Sequence, residues 1–189
     1  MTTLLVVAFS AAALLMLLVD FSRESFNARD AARASGEAQL RYLLSLQQAV
    51  IETSKWRPKG ADLDLFVELN LAPQVADAVL LTTDGTVLAS TRRAQIGKQA
   101  AEIFPAGTKE PLQALLSRAR SSAYPLIAEG RGAEKAILWG VCAVALGPQE
   151  GARSPRQGII CIELDLDVIT QERARLLGSP GLIRLALLV

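Results

Sequence analysis

The apolar run from Leu4 to Val19 constrains this chain more than any other stretch, since it carries no charge and a single hydroxyl, Ser10. With Thr2 and Thr3 in front, it approaches the roughly 17–25 residues that cross a bilayer as a helix. A cleaved signal would have an apolar core of about 7–15 residues and a small-residue cleavage site soon after it. Instead the bulky, charged stretch Asp20 to Phe26 comes next, and Ala32-Arg-Ala34 is the nearest stretch of cleavage-site type. The run reads as an anchor over residues 1–21, with a cleaved signal and a buried core helix as its rivals. Its flanks do not orient it. Arg23, Arg29 and Arg33 lie after the run and only the terminal amine precedes it. By the positive-inside rule that distribution favours a cytoplasmic placement of the chain beyond Val19.

Composition narrows the functional classes. With 189 residues, 51% of them hydrophobic, the chain can bury one sizeable core and carry an anchor besides. Its 20 Lys and Arg against 19 Asp and Glu leave a net charge of +1 and advertise no basic face, so a nucleic-acid partner is not expected. His is absent. That removes the commonest general base and the commonest zinc ligand. No nucleophile–base pair can be assembled, so this stretch reads as non-catalytic, with no metal and no cofactor implied.

Periodicity then orders the elements. Leu40, Leu43, Leu44, Val50 and Ile51 recur at spacings of three and four, predicting a long helix from about Arg29 to Ser54 that Arg57-Pro-Lys-Gly60 stops. Asp62 suits the N-cap of a short helix, Leu63 to Leu71. Val75 to Leu81 and Thr86 to Ser90 read as strands joined at Thr83-Asp-Gly-Thr86, where Asp84-Gly85 suits a two-residue hairpin turn. Thr91 to Lys98 reads as an exposed loop, Pro111 to Arg120 as a helix and Ala123 to Glu129 as a strand. Ala136 to Leu146 and Gly158 to Leu166 form an antiparallel pair around a polar loop, and Val168 to Leu177 returns to helix. The sum is α+β, with about five strands and a long helix to cover one sheet face.

These residues resemble a known family. Val79-Leu-Leu-Thr-Thr-Asp-Gly-Thr-Val-Leu-Ala-Ser-Thr91, followed by Ile96-Gly-Lys98, resembles the opening hairpin of Cache domains, the extracytoplasmic PAS-like sensors of bacterial membrane receptors. Gly158-Ile-Ile-Cys-Ile-Glu-Leu-Asp-Leu-Asp167 resembles the family's last strand. The likeness covers roughly residues 37–177. It implies a PAS-like sheet in a sensor domain at residues 22–177, in the periplasm or outside the cell, flanked by two helices of the inner membrane. Residues 182–189 would begin the second helix, although eight residues cannot span a bilayer, so the chain reads as cut short. The resemblance further implies a homodimer, a small-molecule ligand and a parent receptor, a two-component sensor histidine kinase or a diguanylate cyclase. The rival reading is a single-anchor membrane protein with a PAS-like scaffold and no catalytic output. The Tyr, Arg and Trp constellation of amino-acid-binding and amine-binding members is not present, so ligand identity does not carry over.

Three groups of residues have a functional reading beside a bland one. Trp139 and Tyr124 on predicted strands, with Arg92, Arg93, Arg131 and Lys135 on adjoining loops, could line a pocket for a small carboxylate on the free sheet face. Equally, Trp139 is core and the cations are solvated. Glu163, Asp165 and Asp167 alternate with apolar residues, the signature of a solvated sheet face more than of a metal cluster. Cys142 and Cys161 sit on neighbouring strands, where a disulfide could contribute roughly 3 kcal/mol. One residue of register slip would put the sulfurs on opposite faces.

Overall fold

A computed structural model describes residues 2–54, 66–104, 109–122, 124–131, 135–147 and 156–176, with side chains described from residue 27 onward. A single helix, α1, runs from Thr2 to Ser54. At 1.5 Å per residue its 53 residues extend about 80 Å. The expected anchor at residues 4–19 is helical, but its side chains lie outside the described residues. Among those described, no helix is long and apolar enough to cross a membrane. The stop at Arg57 to Gly60, the Asp62 cap, the turn at Gly132, the 148–155 loop segment and residues 182–189 also lie outside them.

Five strands form one antiparallel sheet in the order β2-β1-β5-β4-β3. They span Val75–Thr82 (β1), Val87–Ser90 (β2), Leu126–Arg131 (β3), Ala136–Leu146 (β4) and Arg156–Asp165 (β5). The helices α2 (Val67–Asn70), α3 (Ala100–Ile103), α4 (Lys109–Ala119) and α5 (Leu166–Leu176) complete the described fold. This is the α+β architecture that the Cache resemblance implies, a long helix on a five-stranded antiparallel sheet. The expected Leu63–Leu71 helix is described only from Phe66 on. The third strand starts at Leu126 rather than Ala123, after Pro125, whose nitrogen cannot donate to a ladder.

Two cores sit on the two faces. On one, Leu40, Leu44 and Ile51 of α1 pack against Leu80, Leu138, Ile160 and Ile162. Burying each such side chain stabilises the fold by about 1.5–3 kcal/mol. The helix lies close because β4 offers Gly140 beneath it: a Cβ there would come within 2.6 Å of both Leu40 Cγ and Leu44 Cδ1. Gly36 serves the same purpose one layer out, where Ile169 and Leu166 of α5 press on α1. The second face is not free, as the sequence had suggested. Phe104, and Leu115 and Ala119 of α4, cover Val79, Trp139, Val141 and Ile159 there.

Two local expectations need correction. The Asp-Gly hairpin has a three-residue loop rather than two, because Thr82 N–H donates to Thr86 O at 2.8 Å and Gly85 N–H to Thr82 O at 3.1 Å. Gly85 takes φ 90°, the left-handed residue that such loops require. The cysteines are free thiols. Cys142 stands opposite Ile160 and Cys161 opposite Val141, one position out of register. Successive side chains alternate faces, so Cys142 belongs to the α1-side core and Cys161 to the α4-side core. The expected disulfide is excluded by that geometry.

Candidate functional site

Strand pairing assembles a polar row across the middle of the sheet. Trp139 of β4 stands opposite Glu163 of β5, and Glu163 opposite Asp77 of β1, all on the α4-covered face. The buried indole of Trp139 donates from Nε1 to Glu163 Oε2 at 3.2 Å. Asp77, also buried, accepts from Thr91 Oγ1 (2.6 Å), Gln95 Nε2 (2.7 Å) and Ala78 N–H (2.9 Å). Arg92 Nε lies 3.6 Å from the same carboxylate, while its Nη2 donates to Ala76 O. The stretch read as an exposed loop thus folds back onto β1, burying Gln95 with a hydrogen bond from Ser90 Oγ.

The row continues to Asp165, which shares the face of Glu163 two residues on. Its Oδ2 meets Lys135 Nζ at 2.8 Å. Its Oδ1 accepts Asp167 N–H at 2.9 Å and Val168 N–H at 3.2 Å. A carboxylate just ahead of α5 thereby caps two of the helix's unpaired N–H groups. Asp165 couples the polar row to the start of α5.

Electrostatics differ along the row. Burial pushes the Glu163 carboxyl up and the charges of Asp77 and Asp165 add to this, while the Trp139 hydrogen bond and Arg92 oppose it. Burial also pushes Asp165 up, but Lys135 and the two capping N–H groups outweigh it and hold that carboxyl low. The linkage signs are opposite. For Glu163 the folded value exceeds the unfolded one, so stability falls as pH rises through it. For Asp165 stability is lost as pH falls through its lowered value. Glu163→Gln, which keeps an acceptor for Trp139, should stabilise the protein by about 0.5–1 kcal/mol at neutral pH, the scale of a like-charge cross-strand pair. The gain should shrink toward acid. Urea unfolding across pH checks this, and a pH-independent gain would contradict it.

Of the expected ligand residues, Arg92, Trp139 and Lys135 gather on this row, and Tyr124 does not. Tyr124 is 78% exposed and precedes β3, in a turn closed by Ser122 Oγ. Arg92 and Lys135 are engaged by Asp77 and Asp165. Glu163 and Asp165 are not on a solvated face, since Ile159 and Cys161 of the same strand share it; Asp167 is exposed. Sequence reasoning missed Asp77, whose one signal was a carboxylate interrupting the apolar run Val75 to Leu81. Among the described residues, no group of His, Cys, Asp and Glu could hold a metal ion.

No protein-family model matches the sequence, and a search of curated proteins returns no relative. Solved structures do overlay in part. The Escherichia coli DcuS sensor domain does so at TM-score 0.43 and 13% identity, over 76% of this chain and 96% of that one. The periplasmic domain of RsbU from Chlamydia trachomatis gives 0.46 and 12%, over 77% and 52%. An extracellular ligand-binding receptor from Desulfohalobium retbaense gives 0.49 and 11%, over 80% and 27%.

Proposed function

We propose that this chain is the sensing region of a transmembrane signalling receptor of the sensor histidine kinase type. Residues 1–21 are its inner-membrane anchor, 22–177 its extracytoplasmic Cache-like module, and 182–189 the start of a second membrane helix. A small molecule bound by the module shifts α5 against α1.

One observation carries this reading: the helix that leads into the sheet and the helix that leads out of it pack side by side. Arg173 of α5 donates from Nη1 to Ala31 O of α1 at 2.8 Å, next to the close approach at Gly36. Because Asp165 caps α5, a change in the polar row alters the helix that must move. The homodimer is supported by an exposed stripe on α1. Tyr42 (66% exposed), Leu46 (38%) and Val50 (45%) fall four residues apart, facing away from the sheet.

Topology supplies the test. Ala94 is exposed and both native cysteines are buried. In intact cells a membrane-impermeant maleimide should label Ala94→Cys and leave the parent protein unlabelled. Labelling that needs lysis would refute the extracytoplasmic placement.

A further inference from the structure

α1 is held against the rest of the fold in two unlike ways along its length. In the half that carries Ala31 to Leu44 the grip is close. Arg173 Nη1 donates to Ala31 O at 2.8 Å, and Arg33 Nη1 pairs with Glu129 Oε2 at 3.0 Å. Gly36 admits Ile169 and Leu166, and Leu40 and Leu44 straddle Gly140. Beyond Leu44 only Gln47 and Ile51 are buried, and residues 49, 50 and 52–54 are exposed. Gln47 is 4% exposed, and its Oε1 has no hydrogen-bond partner among the described residues. It is the one polar member of the buried seam Leu40, Leu44, Gln47 and Ile51.

The register of helix on strand places this flaw. Leu40 and Leu44 lie over Gly140, and Glu52 Oε1 accepts Ala145 N–H at 3.3 Å, so α1 and β4 advance together. From the midpoint of the two leucines to Glu52 is about 15 Å at 1.5 Å per helical residue, and from Gly140 to Ala145 about 17 Å at 3.3 Å per strand residue. Gln47 therefore falls level with Cys142, in a layer otherwise made by apolar residues such as Val144 and Ile160. Past that level the seat thins out. A cavity of about 270 Å³ opens there, lined by Glu52, Ala143, Val144, Ala145, Arg156 and Gln157. Glu52 is exposed and shares Oε1 between Ala145 N–H and Gln48 Nε2, the latter at 3.2 Å. A buried acceptor with no donor weakens the folded arrangement and regains a partner as soon as water reaches it.

We propose that residues 47–54 form a strap that lifts off β4 as one unit while Leu40 and Leu44 stay seated. Release hydrates Gln47 and gives up only the burial of Ile51 and the Glu52 contact. Freeing the other half would break the leucine seat and the contacts with α5 together. About two turns of helix are too short to persist once detached, so the lifted strap unwinds and uncovers Cys142 and Val144. Gln47 sets how readily this happens. The strap is a property of the fold, and it holds or fails independently of the sensing role.

The test is amide hydrogen exchange of the full chain in detergent, read by mass spectrometry of overlapping peptides, for the parent and for Gln47→Leu. In the parent, amides 48–54 should exchange at one common rate, at least about tenfold faster than amides 37–45. Urea below the unfolding transition should leave that rate nearly unchanged, because a local opening exposes little surface. Gln47→Leu removes the unmatched acceptor and should slow all of 48–54 by about 5–30-fold. The proposal is overturned if 48–54 exchanges no faster than 37–45, or if its rate climbs with urea as steeply as that of the sheet. It is equally overturned if protection falls off gradually toward Ser54, as in ordinary fraying, or if Gln47→Leu slows no amide beyond its own turn. The parent measurements decide the matter even where the variant fails to fold. Maleimide labelling of Ala94→Cys bears on neither result, so strap and sensing role stand or fall separately.

Discussion

Gly140→Val is expected to cost about 3 kcal/mol, near the upper end for overpacking a well-filled core. For a chain of this length that lowers Tm by about 6–12 °C. Gly140 sits where α1 crosses β4, and even a single Cβ would lie 2.6 Å from Leu40 Cγ and Leu44 Cδ1. Both leucines are fully buried. Neither can swing into solvent, so the added methyls can be accommodated only by lifting the helix. Lifting α1 uncovers Leu80, Leu138, Ile160 and Ile162 together. Urea unfolding followed by circular dichroism measures the loss. A variant within about 0.5 kcal/mol of the parent, the ordinary scatter of surface substitutions, would mean that α1 does not seat on β4 here.

Trp139→Ala should cost about 3–5 kcal/mol, as large aromatic truncations in cores do. The ring lies over Gly130 of β3, where an added Cβ would come within 2.6 Å of Trp139 Cζ3. Truncation leaves a void between β3, β4 and α4 and removes the N–H that Glu163 accepts. Trp139→Phe separates the two effects in part, because it keeps an aromatic ring in the core while losing the donor and the outer part of the indole that reaches Gly130. Its cost should be smaller, about 1–3 kcal/mol for a half-buried carboxylate deprived of a partner. Combining Trp139→Phe with Glu163→Gln should recover part of that loss. Equal costs for the Ala and Phe variants would show that the aromatic ring retained by Phe contributes nothing to the packing here.

These two sites illustrate what could be read from the chain. The apolar, β-branched runs at β1, β4 and β5 stood out because strands buried on both faces lose their alternation. Leu40, Leu44 and Ile51 were legible as the buried edge of a helix through their spacing. Legibility ended where long-range pairing decides. Asp77 and Glu163 lie at opposite ends of the domain's sequence and meet only because β5 inserts between β1 and β4. Read singly, Asp77 is one polar residue in a strand, and Glu163 part of an alternation that suggests solvent. The cysteine register was hidden for the same reason. A long polar loop between β4 and β5 does not pin the pairing, and one position of slip reverses every side chain. The cover over the second face went unread for a related reason: the helix carrying Leu115 and Ala119 was legible from its own residues, but the sheet face it covers is set by long-range packing.

The opposed thiols have a use as clocks. Burial, with the charge of Glu52 adding to it, pushes Cys142 up to about 12, and Cys161 is raised further by burial. Thiolate is the reactive form, so neither sulfur should be modified until its own face comes open. Cys142 lies on the side covered by α1, Cys161 on the side covered by α4. Modification rates of the two single-cysteine variants therefore time two different local openings. A ligand that loosens α1 while tightening the α4 side would speed one clock and slow the other, without any engineered probe in the fold.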